Sequence, residues 1–531
     1  MKYGDALRVL ARLEGVPETA VEALVAAKFE YVVACQKFSD FKASKKEDDK
    51  WKARSIDELR HTFPANLRVA YVEGDAGSDA VYSVLLGVTA DGEDKVEYKV
   101  KLPGPPILGE GKPENQNHAI VFTRGEHLQT LDMNQDNYMG ESFKMRNLLE
   151  RFTAGVRIVG FREHIFSESG GAVAHFAASN EFVFGTMVQR FLTWPLMVRF
   201  HYGHPDVWDK VWAISSGGIS KASRTLHVSE DIFAGFNTIL RGGDVEYLEY
   251  IHCGKGRDMG FTAVNGFEQK ISAGNALQST SRDLYRLGKG FDLFRLFSMC
   301  TTSSGAFLSS AVMGTALYLF IFSLTILAMA RLEQFHADGD VAFDLIPSTG
   351  TSQVYAAEWF VALGFTMLWP FFLETAGEKG IVGAFYETVR SLLQFKMFFT
   401  VFQERTRAVY FTLGVTTGSA QYLATGRSYA SMTSSFKALY ARYARSHLYW
   451  AAEMVAFSVL YGAFTSKTWA GYFAVTWPVW SVSFSLMLSP WLFNPKSFEG
   501  LGVRTHFYEF LEWLDSEDGE AAAGEAPPWP A

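Results

Sequence analysis

The sequence predicts a mixed α/β domain, with a sheet flanked by helices, followed by an α-helical region that spans a membrane several times. Two observations lead to this prediction. Over residues 1–303, short apolar runs bounded by Gly, Asp or Pro alternate with helical patterns, as is typical of an α/β domain. After Cys300 the composition changes, and residues 301–330 carry no charged side chain. That stretch exceeds the roughly 20 residues needed to cross a bilayer.

Within the first region, several elements are predicted from local patterns. Strands are predicted at 68–72, 81–88 and 95–100. A β-hairpin is predicted from the apolar run 119–122, the turn 123–126 and the extended run that follows. A helix is indicated where apolar residues recur at i, i+3, i+4 and i+7, namely Met145, Leu148, Leu149 and Phe152.

Polar side chains surround the predicted hairpin. A cation and four polar side chains precede it: Lys112, Asn115, Gln116, Asn117 and His118. Amides and two carboxylates follow it: Asp132, Asn134, Gln135, Asp136 and Asn137. Amides and carboxylates suit sugar hydroxyls, and cations suit a diphosphate. The two ends of the hairpin therefore form a candidate ligand pocket.

Four membrane spans are predicted in the second region, at 304–330, 354–373, 448–466 and 468–493. The segment 376–447 between them is basic, whereas 332–353 holds no Lys or Arg, so the positive-inside tendency places 376–447 and 1–303 in the cytosol. An interfacial amphipathic helix is predicted over 381–402. Residues 496–531 are predicted to be a cytosolic tail with a disordered acidic end.

Charge and cysteine content exclude several classes of protein. The net charge of −8 argues against nucleic acid as a partner, because phosphate binding needs a basic field. Three distant cysteines form no disulfide framework, which favours a reducing compartment. The amino-terminal residues carry charges where a signal peptide needs an apolar core, so no cleaved targeting segment is expected.

Several motifs offer chemistry, each with a plain alternative. Glycines beside cations suit a phosphate-cradling loop or simple turns: Gly217, Gly218, Gly254, Gly256 and Gly260. Their spacing matches neither GxxxxGK[ST] nor GxGxxG. His201 and His204 lack a third ligand at metal spacing, and Ser216 and Ser220 lie in no GxSxG elbow.

An acid pair, Glu230-Asp231, precedes the apolar run 232–236. Adjacent acids are usually solvated or cap a helix, but a carboxylate entering a helix beside a buried stretch can act as a base at the bottom of a cleft. A membrane glycosyltransferase fits these features, and a transporter with a regulatory domain is the alternative.

Ordered motifs add a resemblance. The stretches GKPENQNHAIVFTRGEHLQTLDMNQDNY, RFHYGHPDVWD, GGISKASR, SEDIFAGFN, EYIHCGKGRDMGF and SRDLYRLGKGFDLFR resemble, in the same order, the catalytic and carboxy-terminal membrane region of callose synthases and fungal 1,3-β-glucan synthases. The resemblance implies a GT-A-like glycosyltransferase domain. It also implies inverting, processive transfer of glucose from UDP-glucose to a 1,3-β-D-glucan chain, with export through the membrane.

The resemblance also implies roles for individual residues. Asp231, with Glu230 as the alternative, would be the catalytic base. The nucleotide sugar or the glucan would be bound by Lys112, Asn115, Asp132, Asp136, Lys255, Arg257, Asp258, Lys270 and Arg282. No metal ligand is assigned; the sequence DMNQD is not a plain DxD motif, and a divalent cation such as Mg²⁺ is the candidate cofactor.

The expected partners are UDP-glucose, the β-glucan acceptor, the lipid bilayer, and a Rho-type small GTPase with other synthase subunits. The expected location is the plasma membrane, with the catalytic domain in the cytosol. Two rival functions stay open. One is a non-catalytic or incomplete subunit, or a regulator, of a longer glucan synthase. The other is a four-span transporter. This sequence lacks the charged or Gly/Pro-broken spans in matching halves that a transporter would be expected to have.

Overall fold

The structure is a computed structural model that describes residues 2–74, 80–89, 91–104, 106, 112–200, 203, 205–221, 229–332, 351–418, 435–465, 467–494 and 502–515, apart from the side chains of 351–368, 370, 502, 503, 506, 514 and 515. The strands are β1 (Tyr31–Ala34), β2 (Leu67–Glu73), β3 (Val81–Val88), β4 (Asp94–Leu102), β5 (His127–Gln129), β6 (Gln135–Asp136), β7 (Val156–Ile165), β8 (Val207–Asp209) and β9 (Asp244–Lys255). The helices are α1 (Lys2–Leu13), α2 (Glu18–Lys28), α3 (Phe38–Ala43), α4 (Glu47–Thr62), α5 (Lys112–Ile120), α6 (Met139–Leu149), α7 (Ala172–Phe182), α8 (Gln189–Thr193), α9 (Lys210–Ser215), α10 (Glu230–Leu240), α11 (Phe261–Ser279), α12 (Arg282–Gly290), α13 (Leu293–Thr302), α14 (Ser304–Met329), α15 (Thr351–Leu393), α16 (Lys396–Thr417), α17 (Phe436–Tyr443), α18 (Tyr449–Phe464), α19 (Trp469–Leu492) and α20 (Gly502–Asp515).

The first sheet has the order β1-β2-β3-β4, with β1 parallel to β2 and the other pairs antiparallel. The three strands predicted from the sequence are β2, β3 and β4, and all three are confirmed. Leu67, Val69 and Leu86 from this sheet are buried against Phe38 of α3 and Ala53 of α4. Helices therefore cover one face of the sheet, as the mixed α/β prediction requires.

The second sheet has the order β5-β8-β7-β9-β6, and its two long strands, β7 and β9, are parallel. Their register brings Ile165 beside Lys255, so both strands end at the same edge. Ligands of α/β proteins commonly bind at such an edge. The helix predicted around Met145 is α6, which is confirmed, and its Leu148 is fully buried against β7 and β9.

The predicted hairpin is wrong in its first half. Its first apolar run lies at the end of α5, and its second run is β5, which pairs with β8. Ala119 packs with Ala70 of the first sheet, whereas Ile120 packs with Ile158 and Trp208 of the second. The apolar run therefore serves a helix that lies between two sheets, and a run of four residues cannot distinguish that use from a strand.

Among the described residues, α14 is the one helix long and apolar enough to cross a membrane. Its 26 residues give a length of about 39 Å, which exceeds the bilayer core of about 30 Å. Helix α18 has 16 residues in the predicted span 448–466, and α19 has 24 in the predicted span 468–493. Most side chains of the predicted span 354–373 lie outside the described residues. Several spans thus stay a prediction, as does the division at residue 303.

The segment 381–402, predicted as one amphipathic helix, is instead shared between two helices. Helix α15 ends at Leu393, and Phe395 has a positive φ of 53° before α16 begins. In the first part, Val382 is 85% exposed, whereas Phe399 and Phe402 in the second part are buried. The apolar residues of the first part therefore lie on the surface, whereas those of the second part are packed in the core. The tail end, 516–531, lies outside the described residues.

Helix α11 connects the α/β region to the long helices. Its Phe261 is buried with Phe399 and Phe402 of α16. Beside this contact, Glu268 of α11 accepts hydrogen bonds from Arg407 Nε at 2.5 Å and from Gln403 Nε2 at 2.8 Å. The buried charge of Glu268 is therefore paired across the contact between the two helices.

Candidate functional site

Helix α5 is held in place by the polar side chains that surround the mispredicted hairpin. Asn115 Nδ2 donates to the Ala34 carbonyl, and Asn115 Oδ1 accepts from the Gln36 amide, each at 2.9 Å. His118 Nδ1 lies 2.9 Å from Ser83 Oγ on β3. Burial lowers the pKa of His118 to about 4, so this ring is neutral at pH 7. These bonds fix α5, and with it Lys112 at its first turn.

Glu230 and Asp231 form the first turn of α10. A helix amino terminus favours carboxylates there, because its unpaired N–H groups carry partial positive charge. The two side chains differ in exposure: 4% for Glu230 and 15% for Asp231. Asp231 is thus the more accessible acid, and Glu230 the more enclosed.

Lys112 joins the two helices electrostatically. Its Nζ atom lies 2.8 Å from Glu230 Oε1 and 3.4 Å from Asp231 Oδ2. Burial lowers the pKa of Lys112, but Asp231, Glu230 and Asp132 outweigh that effect and raise the pKa well above its usual value. The ammonium is therefore charged at any physiological pH, and one third of the side chain stays exposed.

A glycine turn brings Ser220 to the acid pair. Gly217 and Gly218 have φ of 108° and 88°, which favour glycine. Asn117 of α5 holds the turn, accepting from the Ile219 amide at 3.1 Å and donating to the Ser220 carbonyl at 2.6 Å. The Ser220 hydroxyl then lies 3.3 Å from Asp231 Oδ1. It also lies 2.6 Å from Gln116 Oε1.

Asp132 belongs to the same site, since its carboxylate contributes to the raised pKa of Lys112. Its backbone amide donates to Gln135 Oε1 at 2.9 Å, and its carbonyl accepts from the Gln135 amide at 3.1 Å. The structure thus brings together four of the predicted site residues: Lys112, Asp132, Glu230 and Asp231.

Lys255 and Arg257 belong instead to an interior cluster at the carboxyl edge of β7 and β9. Lys255 is 5% exposed, and its Nζ donates to Glu163 Oε1 at 2.6 Å. Arg257 is paired with Glu181 of α7. Burial raises the pKa of Glu163 to about 7, while Lys255 opposes that rise and the nearby Glu181 carboxylate adds to it. Both cations are already paired inside the protein.

The other predicted residues have varied surroundings. The Asn115 amide is fully used by the backbone around β1. Asp136 points outward, 62% exposed, towards Lys2 at 3.4 Å. Asp258 is half-buried just beyond β9, and Arg282 is exposed at the start of α12. Lys270 lies on α11, about 12 Å along the helix axis from Gln278, which donates to Ser229 beside the acid pair.

Sequence reasoning placed Gln116 among the polar side chains before the predicted hairpin without giving it a role of its own. It did not select Ser220, Glu163 or Glu181 as site residues. The pattern Gly-Gly-x-Ser was a signal for Ser220, because a glycine turn can present the hydroxyl that follows it. Glu163 and Glu181 gave no such signal, since a buried acid within a strand or helix is recognised only from its partners.

Positive charge at the acid pair comes from the Lys112 ammonium. Within the described part of the chain, no three His, Cys, Asp or Glu side chains come together in a way that could hold a metal ion. Glu230 and Asp231 hold the Lys112 ammonium, and the Asp132 carboxylate acts on it electrostatically. Such a group of charges is suited to proton transfer and to the binding of a polyanion.

The chain thus combines a mixed α/β region, in which a lysine lies between two carboxylates at a helix start, with one helix among the described residues that is long and apolar enough to cross a membrane. Sequence comparison gives the family. The family model described as a 1,3-beta-glucan synthase component matches residues 1–527, so the chain belongs to the 1,3-β-glucan synthase family. The resemblance stated from the motifs is thereby confirmed.

Similar relatives include three proteins of Arabidopsis thaliana. The chain is 42% identical to putative callose synthase 8 over 512 residues, covering 94% of this chain and 26% of the relative. It is 40% identical to callose synthase 7 over 512 residues, with the same two coverages. It is 41% identical to callose synthase 11 over 503 residues, covering 93% and 28%. The chain thus spans about a quarter of the length of the curated relatives it matches.

Proposed function

We propose that this chain carries the glucosyl-transfer site of a membrane-bound 1,3-β-glucan synthase that uses UDP-glucose. The observation that carries the proposal is the Lys112 ammonium between Glu230 and Asp231. A base beside an exposed cation is what transfer from a sugar diphosphate needs. Membership of the family and the names of the relatives supply the substrate and the product.

Asp231 is the proposed base, and Glu230 is proposed to hold Lys112. Asp231 is the more exposed of the two and faces Ser220, whereas Glu230 makes the shorter contact with Lys112. The acceptor 3-hydroxyl loses its proton to Asp231 as its oxygen bonds to C1 of glucose. The bond from C1 to the UDP oxygen breaks on the opposite face, which inverts the configuration at C1.

Positive charge stabilises the departing UDP. Lys112 is exposed enough to reach a diphosphate, and the raised pKa keeps it charged. Asp132 then lies beside the sugar, and Lys270 and Arg282 extend the set of cations towards the diphosphate or the acceptor channel. We extend the proposal to a GT-A-like fold for the α/β region, because two parallel central strands end beside the site loops.

Membrane attachment follows from α14, and the exposed apolar side chains just before it suit a bilayer surface. Leu293, Phe294 and Phe297 of α13 are 68–75% exposed, directly ahead of α14. We propose that the α/β region is cytosolic at the plasma membrane and that successive transfers extend one glucan chain, which leaves through the membrane helices.

The test uses membranes that contain this chain, supplied with radiolabelled UDP-glucose. Wild type should yield polymer that a β-1,3-glucanase digests, and Asp231→Asn should lower incorporation by about 100- to 10,000-fold, the usual worth of a general base. Asp40→Asn, the same change at an exposed acid of α3, is the matched control and should retain activity.

Three other results would redirect the proposal. Wild type that binds UDP-glucose but makes no polymer supports the alternative, a non-catalytic or incomplete subunit of a longer synthase. Wild type that neither binds UDP-glucose nor makes polymer contradicts an enzymatic role for this chain. An Asp231→Asn variant with full activity, combined with an inactive Glu230→Gln variant, would transfer the role of base to Glu230.

A further inference from the structure

A chain of hydrogen bonds leads from the interior cluster to the loop that carries Asp132. Lys255 Nζ donates to Glu163 Oε1 at 2.6 Å, and Gln135 Nε2 donates to the same oxygen at 2.9 Å. The oxygen of the same Gln135 amide accepts from the Asp132 N–H at 2.9 Å. Asp132, in turn, is close enough to Lys112 to raise its pKa. The chain thus runs from a buried ion pair to the acid site.

The orientation of the Gln135 amide is fixed by its partners. A backbone N–H can only donate, so the atom facing Asp132 must be the amide oxygen. The opposite end then presents NH₂ to Glu163, whose Oε1 already accepts from Lys255. Both ends of one side chain are therefore satisfied in a single arrangement, which makes Gln135 a rigid link between loop and core.

A second link holds the same loop to β9. Asn134 Nδ2 donates to the Gly256 carbonyl at 2.7 Å, and the Gly256 amide donates to the Asn134 carbonyl at 2.8 Å. The short strand β6 adds the pairs Gln135 with Lys255 and Asp136 with Gly254. Residues 134–136 are therefore anchored along one side, while Met133 at the tip is 94% exposed.

We propose that Gln135, Glu163 and Lys255 are positioning residues that hold the loop of residues 131–136, and with it Asp132, beside Lys112. This gives Lys255, already paired at 2.6 Å inside the protein, a role other than diphosphate contact. Its charge offsets the buried Glu163, and Glu163 aims Gln135. The effect of the three residues on UDP-glucose rests on the function proposed above, whereas their effect on the loop does not.

Hydrogen exchange of the intact chain in detergent tests the loop directly. Gln135→Leu keeps the side-chain volume and removes both bonds, so amide exchange in the peptide containing Asp132 should rise by about tenfold. Met133→Ala is the matched control. Met133 lies on the same loop, but its side chain is almost fully exposed, so this change should leave the exchange unchanged. Exchange in β3, remote from the loop, reports whether the fold is intact.

Variants of Glu163 separate positioning from general destabilisation. Glu163→Leu combined with Lys255→Met, which leaves no buried cation unpaired, should speed exchange as Gln135→Leu does. Adding Gln135→Leu should speed it no further, because all three changes break the same link. Glu163→Gln should keep the loop protected, since its amide oxygen still accepts from Gln135 and its NH₂ still faces Glu181. If Gln135→Leu does not fold, Gln135→Asn, too short to span the link, replaces it.

Measuring UDP-glucose affinity as well distinguishes the positioning role from the proposed function. UDP-glucose affinity should fall at least fivefold in Gln135→Leu and stay unchanged in Met133→Ala. Unchanged loop exchange in Gln135→Leu and in Glu163→Leu/Lys255→Met overturns the positioning role, whatever the ligand does. Faster loop exchange in a chain whose wild type binds no UDP-glucose supports the positioning role and contradicts the proposed function.

Discussion

Replacing Lys112 with methionine should destabilise the protein through the acids that it leaves behind. Methionine preserves much of the side-chain length, but Glu230, 4% exposed, loses the partner at 2.8 Å. Breaking a buried ion pair costs about 3–5 kcal/mol, whereas an exposed pair is worth about 0–1 kcal/mol. Because Lys112 is one third exposed, we expect an intermediate loss of about 2 kcal/mol, or a Tm lower by about 2 °C for a chain of 531 residues.

Thermal unfolding of the detergent-solubilised chain, followed by intrinsic fluorescence, measures this loss. Lys2→Met removes an exposed ion pair to Asp136 and should leave Tm unchanged. The double variant Lys112→Met/Glu230→Gln should recover most of the Tm. A Lys112→Met protein as stable as wild type at pH 7 would refute the role of Lys112 as counter-ion to the acid pair.

Two further changes test the neighbouring parts of the site. Because burial raises the pKa of Glu163 to about 7, this group contributes stability that is complete below its unfolded pKa near 4.5 and is lost as pH rises through 7. Between pH 5 and 8, the free energy of unfolding should therefore change less with pH in Glu163→Gln than in wild type. Gly218→Ala places a Cβ 2.3 Å from Asn117 Oδ1 at a φ of 88°, so it should displace Ser220 and reduce UDP-glucose affinity at least tenfold in a binding titration. Gly125→Ala, at a φ of 84° with nothing within 4 Å of the new Cβ, carries the backbone strain alone and should bind normally.

Sequence patterns predicted best those elements whose apolar spacing is compatible with only one type of secondary structure. The strands β2, β3 and β4 were recognised because polar turns bound each of them, and α6 because its buried residues recur at helical intervals. The run at 119–122 has two uses, since Ala119 faces one sheet and Ile120 the other. A helix buried on two sides shows no polar face in so short a segment, so the strand prediction there was wrong.

The candidate site could be predicted only as residue types. Motif resemblance selected Lys112, Asp132, Glu230 and Asp231, which the structure places in one electrostatic group although up to 119 positions separate them. It also selected Lys255 and Arg257, because a cation in a glycine-rich segment has the same sequence signature whether it faces a ligand or the core. Glu163 and Glu181, which form ion pairs with those two cations, lie on other elements of the fold.

Burial is what separates the two kinds of cation. A phosphate-binding lysine must keep its ammonium within reach of solvent, because the ligand arrives through water and replaces existing partners. Lys112 satisfies this condition with a one-third exposed side chain, 2.8 Å from Glu230 and 3.4 Å from Asp231. Lys255, with a side chain 6% exposed against Glu163 at 2.6 Å, does not satisfy it. Under the two proposals made above, the cation of the acid pair meets the ligand, and the cation of the interior cluster helps to fix the loop that carries Asp132.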